Sequence, residues 1–186
     1  MAGAYPEPPK LNKLLEISQS LPQLPWYALR VKGRHEKSVA KALRDQGYAE
    51  FLPLYTSTSQ WSDRVRVVEV PLFPGYLFCR FDWKEPLPVL RTPGVIDVVK
   101  LGRLPHAVDE GEIAALHIAV SSGLLLQPWP FLKEGQQVVI QEGPLRNVEG
   151  YLAEIRGDRK LILSITLLQR SVAVCVERAW VRPLVA

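Results

Sequence analysis

The side chains best suited to chemistry are three histidines, His35, His106 and His117, and two cysteines, Cys79 and Cys175. None stands at metal-ligand spacing from another, and there is no CxxC pair. Both cysteines lie in apolar, strand-like runs, which reads as reduced, buried thiols. GxSxG, HExxH, Walker-type and GxGxxG patterns are absent, and no carboxylate pair stands out. No catalytic residue, metal ligand or cofactor is assigned, and the reading is not an enzyme. What remains is chemistry of association: an aromatic stretch and a basic cluster.

The aromatic stretch is Val70-Pro71-Leu72-Phe73-Pro74-Gly75-Tyr76-Leu77-Phe78-Cys79-Arg80-Phe81. Phe73-Pro74-Gly75-Tyr76 is a turn signal, because proline fixes φ and glycine accepts φ > 0. The run that follows reads as a strand, with Leu77, Cys79 and Phe81 on one face and Tyr76 and Phe78 on the other. Both faces are apolar. Either both are covered within the fold, or one is an open patch for a partner; pattern alone favours the covered strand.

The basic cluster lies in residues 30–48, where Arg30, Lys32, Arg34, Lys37, Lys41 and Arg44 oppose only Glu36 and Asp45. That local +4 equals the formal charge of the whole 186-residue chain. A solvated helix face is the plain alternative to a nucleic-acid contact. Hydrophobic content of 47% with 23% charged residues is that of an ordinary folded protein. The N-terminus has no signal-peptide pattern and no apolar run reaches the ~20 residues that span a bilayer, so a cytoplasmic protein without a membrane contact is expected.

The elements that must position these groups follow from periodicity. Residues 1–24, rich in proline around a short amphipathic piece at 11–18, read as a mobile leader. Residues 26–32 alternate as a strand with Tyr27, Leu29 and Val31 inward. His35 to Gln46 reads as a helix on a Val39, Ala42, Leu43 stripe, stopped by Gly47. Residues 49–54 predict a second strand, and 54–81 a hairpin with a polar turn at 57–63 and Arg64 and Arg66 near its tip. Pro86 and Pro88 make a helix after Phe81 hard to place. Residues 95–99 predict a strand after the Pro93-Gly94 turn. Asp109 caps a helix from Glu110 to about Ser121 that buries Ile113, Leu116 and Val120. Residues 122–131 read as a linker. Five short strands then follow, at 137–141, 151–155, 161–167, 172–176 and 180–182. They imply a small barrel, since closure removes the edges.

The order strand, basic helix, hairpin, Phe73-Pro74-Gly75-Tyr76-Leu77-Phe78, strand, helix, linker and barrel resembles the NusG-like transcription elongation and antitermination factors. Trp26-Tyr27 and Thr92-Pro93-Gly94-Val95 are similar to segments of their N-terminal (NGN) domain. Residues 135–140, then Glu142-Gly143-Pro144-Leu145 and Gly150, resemble their KOW motif. The resemblance implies an α+β chain: an NGN α/β sandwich with an antiparallel sheet at 25–121, the linker at 122–131, and a small SH3-like KOW β-barrel at 132–186. It implies a monomer that binds RNA polymerase at the β′ clamp helices through Trp26, Phe73, Pro74, Gly75, Tyr76 and Phe78, and bridges the nucleic-acid cleft. On this resemblance the second apolar face belongs to the partner. Lys32, Arg34, Lys37 and Lys41 would meet upstream or non-template DNA, Lys32 matching a DNA-contacting position of the RfaH type.

One departure concerns the barrel. General NusG factors carry Ile-Phe-Gly-Arg in the loop that contacts termination factor Rho or a ribosomal protein. Here the matching residues are Leu167-Leu168-Gln169-Arg170, so the phenylalanine anchor of both contacts is missing. Leu167, Leu168 and Arg170 remain the partner-facing candidates, and the pattern is more similar to operon-specific antiterminators of the UpxY and RfaH type. A general NusG factor and a KOW-type RNA-binding or ribosome-associated module are the competing readings. The period-two pattern of 161–167 and 172–176, with its β-branched valines, predicts a permanent strand domain. It should be loosely tethered through 122–131, leaving the aromatic patch exposed.

Overall fold

The computed structural model describes residues 24–61, 64–130, 135–155 and 158–184. The leader therefore lies outside the described residues, save Leu24. In the N-terminal half the strands are β1 (Trp26–Val31), β2 (Ala49–Phe51), β3 (Leu54–Trp61), β4 (Arg64–Pro71) and β5 (Tyr76–Arg80). They continue with β6 (Val95–Val98), β7 (Lys100–Leu101), β8 (Leu104–Pro105) and β9 (Ala107–Val108). Among the described residues of this half the helices are α1 (Glu36–Asp45), α2 (Leu87–Leu90) and α3 (Glu110–Ser121).

The central sheet runs β2-β5-β1-β6, all antiparallel, with β9 continuing beside β1. One face buries Tyr27, Leu29, Val31, Leu77, Cys79 and Phe81 against Val39 and Leu43 of α1 and Val89 of α2. The other buries Trp26, Ala28, Phe51 and Phe78 against Ile113, Leu116 and Ala119 of α3. The covered-strand alternative is therefore the one that holds. Asp109 caps α3 as expected, its Oδ1 accepting from Glu112 N at 3.1 Å. A helix is found even here: Leu87–Leu90 is a single turn with Pro86 as its N-cap and Pro88 in its first turn, where proline costs no intrahelical hydrogen bond.

Two readings of the hairpin change. Residues 49–54 are not one strand, because Pro53 breaks the run; its carbonyl instead accepts from Leu72 N at 2.9 Å. Residues 57–61, expected as a turn, extend β3, which pairs only with β4 over eight residue pairs. The serines and threonines of β3 lack the apolar alternation that marks a half-buried strand, so they read as turn.

The C-terminal half is one six-stranded antiparallel sheet. Its strands are β10 (Leu126–Pro130), β11 (Gln136–Ile140), β12 (Glu149–Ile155), β13 (Asp158–Ile165), β14 (Arg170–Cys175) and β15 (Val181–Pro183), in the order β10-β14-β13-β12-β11-β15. Leu161, Leu163, Ile165, Val172, Val174 and Val176 share its apolar interior, as their alternation predicts. Leu167 leaves that face, because Thr166–Leu168 is a 3-10 turn closed by Gln169 at φ 50°.

The loose tether is not what the chain builds. Residues expected as linker form β10, paired with β14 from Leu126↔Val174 to Pro130↔Arg170. Pro128 and Pro130, which argue against a strand in sequence, are tolerated because β10 is an edge strand. The two halves also share a contiguous apolar cluster running from Trp26 and Phe78 through α3 to β13 and β14. Helix α3 contributes to both: Ile113, Leu116 and Ala119 are buried in that cluster, and Glu112 reaches Thr166.

Candidate functional site

Phe73-Pro74-Gly75-Tyr76 forms a tight turn in which Tyr76 N donates to Phe73 O at 3.0 Å. Gly75, at φ 82°, supplies the left-handed position that proline at the preceding residue calls for. The turn is tied down twice: Val31 N donates to Gly75 O at 2.8 Å, and Gly75 N donates to Glu36 Oε1 at 2.9 Å. Phe73 packs edge-on against Phe78, with centroids 6.0 Å apart. Both are buried, at 1% and 0% exposure, and Trp26 is at 6%. Only Pro74, exposed, and Gly75 and Tyr76, half-buried, reach the surface. The expected exposed aromatic patch is thus corrected: α3 closes that face from within, and the guanidinium of Arg170 stands 5.5 Å over the Tyr76 ring.

The basic cluster divides in two. On α1, Lys37 pairs with Glu69 at 3.1 Å, Lys41 with Asp45, and Arg44 with Glu50. On the loop before it, Lys32 and Arg34 are exposed, Arg34 at φ 66°, and among the described residues neither makes an ion pair. The net positive surface is therefore concentrated on the loop rather than along the helix.

Leu167 and Leu168 are half-buried against the shared cluster, and Arg170 is exposed beside Tyr76. Next to them, Glu112 of α3 accepts from Thr166 N at 3.1 Å and from Thr166 Oγ1 at 2.5 Å. The structure thus brings Tyr76 and Arg170 together across the two halves; Lys32 and Arg34 lie in the loop before α1, where Lys32 follows Val31, whose amide holds Gly75.

Three contributing residues were invisible to pattern. Glu36 reads as an ordinary first-turn acid. Glu112, three residues after Asp109, reads as the partner of a capping box but reaches across to Thr166 instead. His117 stacks on Phe51 at 3.6 Å, 18° from parallel. Its pKa is held below the ordinary value, by burial first and then by Arg80, with Glu50 opposing. Burial, reinforced by Glu50, pushes the Cys79 thiol up to about 12, so it stays a protonated core group.

A family profile described as "Transcription termination factor nusG" matches residues 24–117, just over half of the chain. The chain belongs to the NusG family. The "Transcription termination/antitermination protein NusG" of Thermus thermophilus is 29% identical over 172 residues, 80% of this chain and 92% of that protein. The protein of the same name from Helicobacter pylori strain 26695 is 24% identical over 174 residues, 86% of this chain and 98% of that one. The solved structure "Domain interaction in Thermotoga maritima NusG" superposes with a TM-score of 0.52 at 20% identity, covering 87% of this chain and 97% of that one. It establishes likeness of fold. NusG-family proteins are non-enzymatic transcription factors, and the α+β architecture found here is theirs. Among the described residues no helix is long and apolar enough to cross a membrane.

Proposed function

We propose that this NusG-family protein regulates transcription elongation by binding RNA polymerase, and that it suppresses pausing or termination as an operon-specific member of the family. In this reading residues 25–121 form the NGN domain, which docks on the β′ clamp helices, and residues 132–186 form the KOW domain. The observation that carries it is the turn at 73–76, held at Gly75 by the Val31 amide and by the Glu36 carboxylate, with Tyr76 at its rim. A rigid aromatic at the edge of a buried apolar cluster is the kind of anchor that dominates association. Pro74, Gly75 and Tyr76 would make the contact, with Trp26, Phe73 and Phe78 supporting it from beneath.

Lys32 and Arg34 are the residues proposed to meet upstream or non-template DNA; Lys37 and Lys41, already paired, contribute less. Of Leu167, Leu168 and Arg170, which would face a partner of the KOW domain, Arg170 stands over Tyr76 and the two leucines are half-buried against the shared cluster. Lacking an aromatic anchor as well, they favour the operon-specific reading over the general one. Nothing is catalysed: the protein acts by preferring the elongating over the paused polymerase conformation.

The test is binding of the purified protein to reconstituted elongation complexes and, in parallel, to ribosomes. Tyr76→Ala should lose polymerase affinity by about thirtyfold, on the order of 2 kcal/mol, while keeping its circular dichroism and melting temperature. Phe78→Ala is unsuitable for this purpose, because emptying a fully buried phenylalanine costs roughly 3–5 kcal/mol of stability. Undiminished binding by Tyr76→Ala rejects the docking surface, and binding to ribosomes alone rejects the polymerase reading.

A further inference from the structure

We propose that Glu36 is a positioning residue: its carboxylate clamps the 73–76 turn from the start of α1 and so fixes the direction of Tyr76. The proposal rests on the polymerase-docking reading for its functional half, and on geometry for the rest.

Glu36 is a charged residue buried to 6% exposure, a cost the fold accepts only where the charge is held. It is the first residue of α1, where the free amides of the opening turn favour a negative charge. From there Oε1 accepts the Gly75 amide at 2.9 Å, across 39 residues of sequence. Gly75 is the one residue of its turn with a left-handed φ, and its carbonyl is taken by Val31. Its amide has Glu36 as partner, so the carboxylate completes the pairing of a peptide that neither sheet nor turn satisfies alone.

Other features make the start of α1 a fixed reference. A second turn, 92–95, docks there: Lys32 N donates to Gly94 O at 2.9 Å. Gly94 has φ 98°, and a Cβ on it would approach Val39 Cγ2 to 2.7 Å, so this turn too is pressed against the helix. Helix α1 is anchored in turn by Val39 and Leu43, both fully buried. Tyr76 follows Gly75 directly and pairs in register with Arg30, so a change in the Gly75 peptide plane turns the residue that leads the docking surface. Glutamine keeps an acceptor oxygen at the same reach, whereas leucine fills the volume with none.

The first measurement is amide hydrogen exchange in the wild-type protein. Gly75 should be protected comparably to the neighbouring strand amides of Leu77 and Phe78; fast exchange at Gly75 overturns the clamp. Glu36→Leu should then lose Gly75 protection and shift the Tyr76 ring resonances while leaving the Leu43 amide unchanged. Glu36→Gln should retain both. Polymerase affinity should fall about tenfold in Glu36→Leu, the scale of one lost charge-assisted hydrogen bond, and return to within about threefold in Glu36→Gln. Lost protection with unaltered affinity overturns the positioning role. Absence of polymerase binding by the wild type overturns the proposed function instead, and the exchange data still decide the clamp.

Discussion

His117 shows how one ring can make stability depend on pH. It lies flat on Phe51, with Trp26 at 6.2 Å and the positive charge of Arg80 near enough to oppose a second one. Partial desolvation of a ring that still meets solvent, and then the Arg80 charge, favour the neutral form against the opposing pull of Glu50, so its pKa is below the ordinary 6.5. The unfolded chain then takes up a proton before the native one does as pH falls. Unfolded protein binds more protons, and stability decreases below about pH 6.5. Above that value the contribution is fully present. The melting temperature should therefore drop between about pH 7.5 and pH 5.5, and His117→Phe, which keeps the stack without a titrating group, should flatten that slope. An unchanged slope would assign the acid sensitivity to other groups.

At the scale of elements, the loop joining β1 to α1 is where the basic cluster has its unpaired part. Reversing Lys32 and Arg34 to glutamate should weaken association with elongation complexes at low salt, with the difference shrinking as salt rises. Reversing Lys37 and Lys41 should matter less, because each already faces a carboxylate. Exposed pairs of that kind contribute only ~0–1 kcal/mol to the fold, so neither double variant should unfold. A salt-independent defect, or an equal one from both pairs, would assign the loop to solvent.

The same comparison shows what pattern could convey. Helix α1 was legible because its stripe and its Gly47 stop are local, and α3 because Asp109 caps it. The strands β11 to β15 followed from alternation and turns. The edge strand β10 was lost to its prolines and the ribbon β3–β4 to its serines and threonines, since neither signals a buried face. At the site, the Phe73-Pro74-Gly75-Tyr76 turn was readable from residue types. The depth of Phe73 and Phe78 was not, because apolarity on both faces of a strand does not say whether helix or partner provides the cover. Glu36 and Glu112 were beyond reach for the same reason: their partners lie 39 and 54 residues away.

For the whole molecule, the decisive feature is that the two halves are docked rather than strung on a tether. Helix α3 gives its inner face, through Ile113 and Leu116, to the central sheet and turns Glu112 toward β13. There Glu112 takes both the amide and the hydroxyl of Thr166, closing the 3-10 turn that leads into β14. Arg170, at the start of that strand, reaches Tyr76. Apolar contact supplies the area, but it is non-directional; the Glu112–Thr166 pair fixes the register of one half on the other. Hydrogen bonds to a charged group contribute roughly 1.5–3 kcal/mol each, so losing this carboxylate should release the docking while both sheets persist. Glu112→Ala should keep the strand signals of β13 and β14 in NMR spectra. It should also give faster, independent tumbling of the two halves, and lose ring-current and relaxation contacts between Arg170 and Tyr76. Thr166→Val, which removes the hydroxyl but not the amide, should fall between wild type and Glu112→Ala. A Glu112→Ala protein that still tumbles as one body would show that apolar contact alone holds the halves together.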